Sequence, residues 1–156
     1  TENLHHGFEL VVFSKSECIN IDPSEASTHI FGYAVGVDLT KRDLQSAAKE
    51  ASKPWDLSKG FDNSAPISKI IKKEGFLFDE GRISLNVNGQ NRQLSNILNM
   101  IWKVDELISW LSKFITLKAG DIIFTGTPAG VGRLVPKDKI DAEIENVGSL
   151  SFELTK

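Results

Sequence analysis

Four short stretches of this sequence carry side chains able to do chemistry. Glu9 interrupts the apolar run Phe8-Glu9-Leu10-Val11-Val12-Phe13, and Asp38 closes the apolar run that opens at Phe31. An ionised carboxylate in such surroundings is costly unless it is paired or bound to a metal. Two of them brought together repel, and a divalent cation removes that conflict. Hard oxygen ligands suit Mg²⁺, with water and substrate completing the octahedron. Lys59, in the stretch Pro54-Trp55-Asp56-Leu57-Ser58-Lys59-Gly60-Phe61-Asp62, could bind a substrate carboxylate or stabilise an enolate. The glycine-rich stretch from Thr125 to Gly132 offers backbone N–H groups and two hydroxyls to an anion. It is not a P-loop, because no Gly-Lys-Ser/Thr follows. His5 and His6 adjoin Glu9 and could reach a metal or its outer shell. Each feature also has a plainer reading: a solvated strand-edge acid, a surface lysine, an ordinary turn, a solvated histidine pair. The residues alone leave both open.

The elements that must position these groups are readable in outline. Phe8 to Phe13 reads as a buried strand. Asp22-Pro23-Ser24-Glu25 is a helix start, with Asp as N-cap, Pro at the first position and Glu at the third, so a short helix is predicted over 23–29. Phe31 to Asp38 is the next strand, and Gly32 and Gly36 within it suggest close backbone packing. Thr40 reads as the N-cap of a helix over 40–51, with Asp43 completing a capping box and Leu44, Ala47, Ala48 and Ala51 on its apolar face. Trp55 to Lys73 is mostly irregular. Arg82 to Val87 alternates, with Ile83, Leu85 and Val87 on one face. Asn88-Gly89 then suits a type I′ turn into a return strand over 90–94.

Ser95 is expected to cap a short helical turn. Asp105 to Phe114 is the best amphipathic helix, with Leu107, Ile108, Leu111 and Ile115 at helical spacing. Ile122 to Phe124 is predicted as a buried strand, and 140–144 and 150–154 as alternating ones. Strands dominate, with three or four helices inserted, which argues for a mixed α+β domain over a doubly wound parallel sheet.

A chain of 156 residues suits one domain with a real core. Its net charge of −3 suggests no nucleic-acid or anionic-membrane partner. No apolar run reaches about 18 residues, so no transmembrane helix is expected. Cys18 is alone, so no internal disulfide forms, and a reducing, cytoplasmic compartment fits. A strand is reached within a dozen residues of Thr1, so further sequence is expected upstream.

Taken together, these segments resemble the fumarylacetoacetate hydrolase family. The likeness runs through Leu4-His5-His6-Gly7-Phe8-Glu9-Leu10, the block from Gly32 to Gln45 with its Asp-Leu-Thr-x-Arg-Asp-Leu-Gln core, and Pro54 to Asp62 with Ala65-Pro66-Ile67-Ser68. It continues through Gly120-Asp121-Ile122-Ile123-Phe124-Thr125-Gly126-Thr127-Pro128-Ala129-Gly130-Val131-Gly132. It covers essentially the whole chain, as a single catalytic domain over residues 1–156, and is nearest to small members acting on acylpyruvates and oxaloacetate. The resemblance implies a strand-dominated mixed β-roll, a homodimer, and a Mg²⁺ or Mn²⁺ site built from a Glu-x-Glu pair and a later Asp. Glu9 matches the second Glu and Asp38 the Asp. By the same matching Lys59 contacts the bound 2-oxo acid as the catalytic cation, Thr127 holds its carboxylate, and Arg42 and Gln45 line the pocket.

The implied activity is metal-dependent hydrolysis of C–C bonds in small 2-oxo acids, with oxaloacetate decarboxylation or tautomerisation as the alternative. Two departures from the pattern qualify this. Gly7 stands where the family has its first metal-binding Glu, which predicts weaker metal affinity. The family's water-activating His and Glu belong to a segment upstream of this stretch. A degenerate member with weak metal binding and a non-catalytic role is therefore the competing expectation.

Overall fold

The computed structural model describes residues 1–155. Eleven strands among the described residues form three antiparallel sheets, with three α-helices and two 3₁₀ helices between them. The central sheet is built on β2 (Phe8–Ser14), which lies between β3 (Ile30–Val37) and β8 (Ile122–Phe124), with β5 (Ile71–Lys72) on the far edge of β3. Every residue of β2 is buried, because its aromatic and branched side chains are covered on both faces. Phe8, Leu10 and Val12 enter the main core with Tyr33, Val35 and Val37, while Val11, Phe13 and Ala34 face a smaller cluster with Ile67, Ile70 and Phe124.

The second sheet runs β11 (Gly148–Glu153), β10 (Lys139–Ile144), β6 (Arg82–Val87), β7 (Gln90–Asn96). It supplies Ile83, Leu85, Val87, Ile140, Ala142 and Ile144 to the same core, the inward set that strict alternation predicts. The β6–β7 hairpin turns at Asn88 and Gly89, with φ values of 52° and 76°, the left-handed pair a type I′ turn demands.

The third sheet sets the position of the functional residues. It runs β4 (Thr40–Lys41), β1 (Leu4–His6), β9 (Gly132–Leu134). Two strands pass from this sheet into the central one at the same level. β1 leads through Gly7 into β2, and β3 leads through Asp38 and Leu39 into β4. Gly7 and Asp38 face each other at the switch, where the Asp38 N–H donates to the Gly7 carbonyl at 2.8 Å.

Several expectations need correction. Thr40 does not cap a helix. It pairs with His5 in the β4–β1 ladder, and α1 (Arg42–Glu50) starts two residues later with no side-chain cap at Lys41. The Asp43 carboxylate instead accepts from the Thr1 hydroxyl at 2.6 Å. Entry directly from a strand fixes the rotation of α1, so Gln45 points inward and Leu44 is 44% exposed, the reverse of the face that apolar spacing predicts. The irregular stretch after Trp55 contains a one-turn helix, α2 (Asp56–Lys59). Asn96, and not Ser95, caps the 3₁₀ turn over Ile97–Asn99, by accepting from the Leu98 N–H. The amphipathic helix α3 spans Val104–Ser112, so Ile115 lies beyond its end and is exposed. β8 is a sheet edge, and its Ile122 is exposed.

The capping box of Asp22 and Glu25 is formed, on a 3₁₀ helix over Pro23–His29. The strand glycines are required as expected: a Cβ on Gly32 would lie 2.1 Å from the Ile71 carbonyl oxygen, and one on Gly36 would lie 2.4 Å from a Val11 methyl. Gly32→Ala should therefore lower stability by about 2 kcal/mol through overpacking against fixed backbone. The check is the urea midpoint, and an unchanged midpoint would contradict this packing.

Candidate metal centre

Glu9 and Asp38 meet at the sheet switch. Strand alternation puts Gly7 and Glu9 on one face of the same run, and the register places Gly36 opposite Glu9 and Asp38 opposite Gly7. Glu9 and Asp38 are therefore diagonal neighbours on that face, a spacing at which long side chains interact. Glu9 is buried, and its Oε2 accepts from the Gly126 N–H at 2.6 Å. Burial pushes its carboxyl up to about 7, opposed by the Gly126 hydrogen bond, and the nearby Asp38 charge raises it further against the pull of Lys59. Lys59, at the C-terminal end of α2, donates to Asp38 Oδ2 and, at 2.9 Å, to the Thr40 hydroxyl. Its pair with Asp38 is part-exposed on both sides, with side chains 36% and 26% accessible, and such pairs are worth at most about 1 kcal/mol. That is weak enough for a divalent ion to displace.

The structure thus gathers Glu9, Asp38 and Lys59, and the Gly126 N–H binds the glycine-rich loop onto them. Thr127, next in that loop, lies beside Gly7: a Cβ there would meet its methyl at 3.5 Å. Arg42 and Gln45 hydrogen-bond to each other, and Arg42 Nε donates to His5 Nδ1 at 3.4 Å. Among the described residues neither bonds to the carboxylate group. His5 donates from Nε2 to Asn3, and burial with the Arg42 charge holds its pKa down, so it stays neutral at pH 7. His6 is buried against Gln93. Neither histidine reaches Glu9 or Asp38 by a hydrogen bond.

Sequence reading missed three partners: the Gly126 N–H, the Thr40 hydroxyl and Gln93. Gly126 lies in a loop already marked for anion binding, and Thr40 was marked only as a cap. Gln93 gave no signal at all, as one polar residue in a polar strand.

No group of three or more His, Cys, Asp or Glu side chains able to share an ion occurs among the described residues. Two carboxylates remain, and Mg²⁺ is commonly held by one or two carboxylates with waters and ligand oxygens filling the rest. The donor set therefore fits a hard divalent ion, held loosely. Gly7 marks where a third carboxylate would project. Its φ is not in the left-handed range, and a Cβ would approach the Asp38 carbonyl oxygen to 3.3 Å, a contact relieved by a small shift. A concavity of about 400 Å³ lined by Lys53, Pro54, Trp55, Asp56 and Lys59 opens along α2. A more enclosed apolar one of about 430 Å³ lies behind the loop, lined by Leu10, Ile97, Trp102 and Thr127 among others.

Comparison with known proteins follows this geometry. The family model described as "Fumarylacetoacetate (FAA) hydrolase C-terminal" matches residues 1–155. Fumarylpyruvate hydrolase of Ralstonia sp is 40% identical over 152 residues, which cover 97% of this chain and 79% of that protein. Mitochondrial oxaloacetate tautomerase FAHD1 of Homo sapiens is 40% identical over 158 residues, covering 100% of this chain and 71% of that one. Among solved structures, fumarylpyruvate hydrolase of Pseudomonas aeruginosa, in complex with Mn²⁺ and pyruvate, superposes with a TM-score of 0.96 at 40% identity, over 99% of this chain and 67% of that chain.

Three outcomes test the site. A proton on Glu9 competes with a cation, so Mn²⁺ affinity should rise about tenfold per pH unit up to pH 7 and level off above. The same shift acts on stability without metal. Folded Glu9 holds a proton the unfolded chain has lost above its usual 4.5, so its contribution is fully present below 4.5 and lost as pH rises through about 7. Wild type should therefore lose stability relative to Glu9→Gln over that window, by on the order of 3 kcal/mol. Gly7→Glu should tighten Mn²⁺ binding by about tenfold or more in calorimetry. Unchanged affinity would mean that position 7 does not face the ion.

Proposed function

The chain belongs to the fumarylacetoacetate hydrolase family, and from that membership and the carboxylate geometry we propose a divalent-metal-dependent enzyme acting on C–C bonds of small 2-oxo acids of the acylpyruvate and fumarylpyruvate kind. The observation that carries this reading is the convergence of Glu9, Asp38 and Lys59 beside the Gly126–Thr127 loop. Glu9 and Asp38 would hold Mg²⁺ or Mn²⁺. The ion, when bound, supplies Lewis acidity to the 2-oxo group and a template for the acid.

The protein's own groups do the rest. The Gly126 N–H fixes the direction of Glu9. Lys59, freed from Asp38, remains on the Thr40 hydroxyl and turns its ammonium to the substrate, where it is the catalytic cation that stabilises an enolate oxygen as the bond breaks. The Thr127 hydroxyl donates to the substrate carboxylate, and Arg42 and Gln45 form the adjoining wall. Hydrolysis also needs a base for water, which the family resemblance places ahead of Leu4.

Tautomerisation or decarboxylation of oxaloacetate, the second reading, also runs through a stabilised enolate, exchanges its proton with solvent or a nearby group, and needs no activated water. It draws support from relatives named oxaloacetate tautomerase at the same level of identity. We further propose that residues 1–156 form one catalytic domain, that the protein works as a homodimer, and that it is cytoplasmic. The dimer reading rests on the exposed apolar side chains Leu94, Leu98, Ile101, Trp102, Trp110 and Phe114. The location rests on the lone, unpaired thiol of Cys18.

The test is turnover of oxaloacetate and an acylpyruvate by the full-length protein with Mn²⁺. Lys59→Met should lower kcat/KM by about a hundredfold or more, while Mn²⁺ affinity holds or rises because a competing cation has left Asp38. Retained turnover in Lys59→Met would remove the lysine from the chemistry. No turnover of either substrate would favour a degenerate, weakly binding member.

A further inference from the structure

Gln93 lies on β7, in the second sheet, and is 1% exposed. Its side-chain amide crosses to the other two sheets and uses every hydrogen bond it can make. Oε1 accepts from the Phe8 backbone N–H at 3.2 Å and meets His6 Nδ1 at 2.8 Å. Nε2 donates to the Pro128 carbonyl at 2.8 Å and to Thr127 Oγ1 at 2.7 Å. The two backbone partners settle which end is which, since an N–H can only donate and a carbonyl can only accept. With the amide fixed, its neighbours are fixed too. His6 must carry its proton on Nδ1. Thr127 Oγ1 must accept from Gln93, and its single hydrogen is left to point elsewhere.

The Thr127 side chain itself has a defined setting. Thr127 is exposed, and its side chain borders Gly7, on the face that carries Glu9 and Asp38. The main chain reinforces the arrangement, because Gly130 lies so close to β7 that a Cβ there would come within 2.1 Å of the Arg92 carbonyl oxygen. The loop is therefore pinned to β7 at Gly130 and at Thr127–Pro128, with Gln93 as the polar pin.

We propose that Gln93 is a positioning residue that occupies one lone pair of Thr127 Oγ1 and so keeps the hydroxyl hydrogen off the Gln93 side, free to donate, with Lys59 N–H, to an ionised carboxylate at the ligand site. This rests on the reading that Thr127 holds the carboxylate of a 2-oxo acid. Gln93 touches no ligand and acts only through Thr127. Without the Gln93 donor the hydroxyl hydrogen could also turn toward residue 93, and a carboxylate would lose part of the benefit of a preset donor.

The experiment is a double-mutant cycle on oxalate affinity, measured by calorimetry on the full-length protein at saturating Mn²⁺, with Mn²⁺ affinity titrated separately for each variant. Gln93→Glu keeps the shape but gives Thr127 an acceptor to donate to, so the hydroxyl turns away from the ligand. It should weaken oxalate binding by about tenfold in the wild-type background and by less than about threefold in Thr127→Val. If Gln93→Glu does not fold, Gln93→Met enters the same cycle, with a smaller loss but the same dependence on Thr127. Equal losses in both backgrounds would mean that Gln93 acts through charge or general packing, and would overturn the proposal. So would no loss in either. Thr127→Val binding oxalate as tightly as wild type would overturn the Thr127 reading itself, an outcome distinct from a cycle in which Thr127 matters and Gln93 does not.

Discussion

A carboxylate buried in the middle of an apolar strand is the constraint around which this molecule is arranged. Glu9 lies on a strand whose every residue is buried, and a second acid, Asp38, shares its face. Apolar surroundings and a like charge both oppose ionisation. The chain answers with one backbone N–H from Gly126 and one ammonium from Lys59, and the carboxyl still rises to about 7. A cation placed between the two carboxylates would relieve both penalties.

The sheet architecture explains how three distant segments come to share that place. β1–β2 and β3–β4 both change sheets at one level, and the change exposes the edge where Gly7 and Asp38 face each other. Gly36, opposite Glu9, leaves room for Val11 and Phe124 to close the strand's second face. The loop after β8 returns over the same corner and is tied down from behind by Gln93. The site is thus built at a join between sheets, with each sheet contributing a part: Glu9 from the central one with Asp38 just past the end of its β3, Thr40 from the small third one, and Gln93 from the second.

How much of this the sequence displays depends on how local each cause is. The β2 run, the Asn88-Gly89 hairpin and the Asp22–Glu25 capping box are written in neighbouring residues, and all three were legible. The acids at 9 and 38 were legible as anomalies, since a charge inside an apolar strand calls for an explanation. Thr40 misled because a threonine before a helical pattern looks like a cap, yet pairing with His5 on a strand distant in sequence overrides that preference. The outward-facing Leu44 has the same origin: the strand entering α1 fixes its rotation, and no periodicity within the helix records that. Gln93 was invisible because its meaning lies wholly in partners 34 to 87 positions away. The three-carboxylate pattern, and the place of Gly7 in it, are implied by the resemblance alone.

The central claim is that Glu9 and Asp38 bind one ion together. The most direct measurement is a crystal structure of the protein grown with Mn²⁺ and phased or mapped at the manganese edge. The account predicts one anomalous peak within about 2.3 Å of an oxygen of each carboxylate, with Lys59 moved off Asp38. A peak elsewhere, or an ion on one carboxylate with the Lys59–Asp38 pair intact, would contradict it.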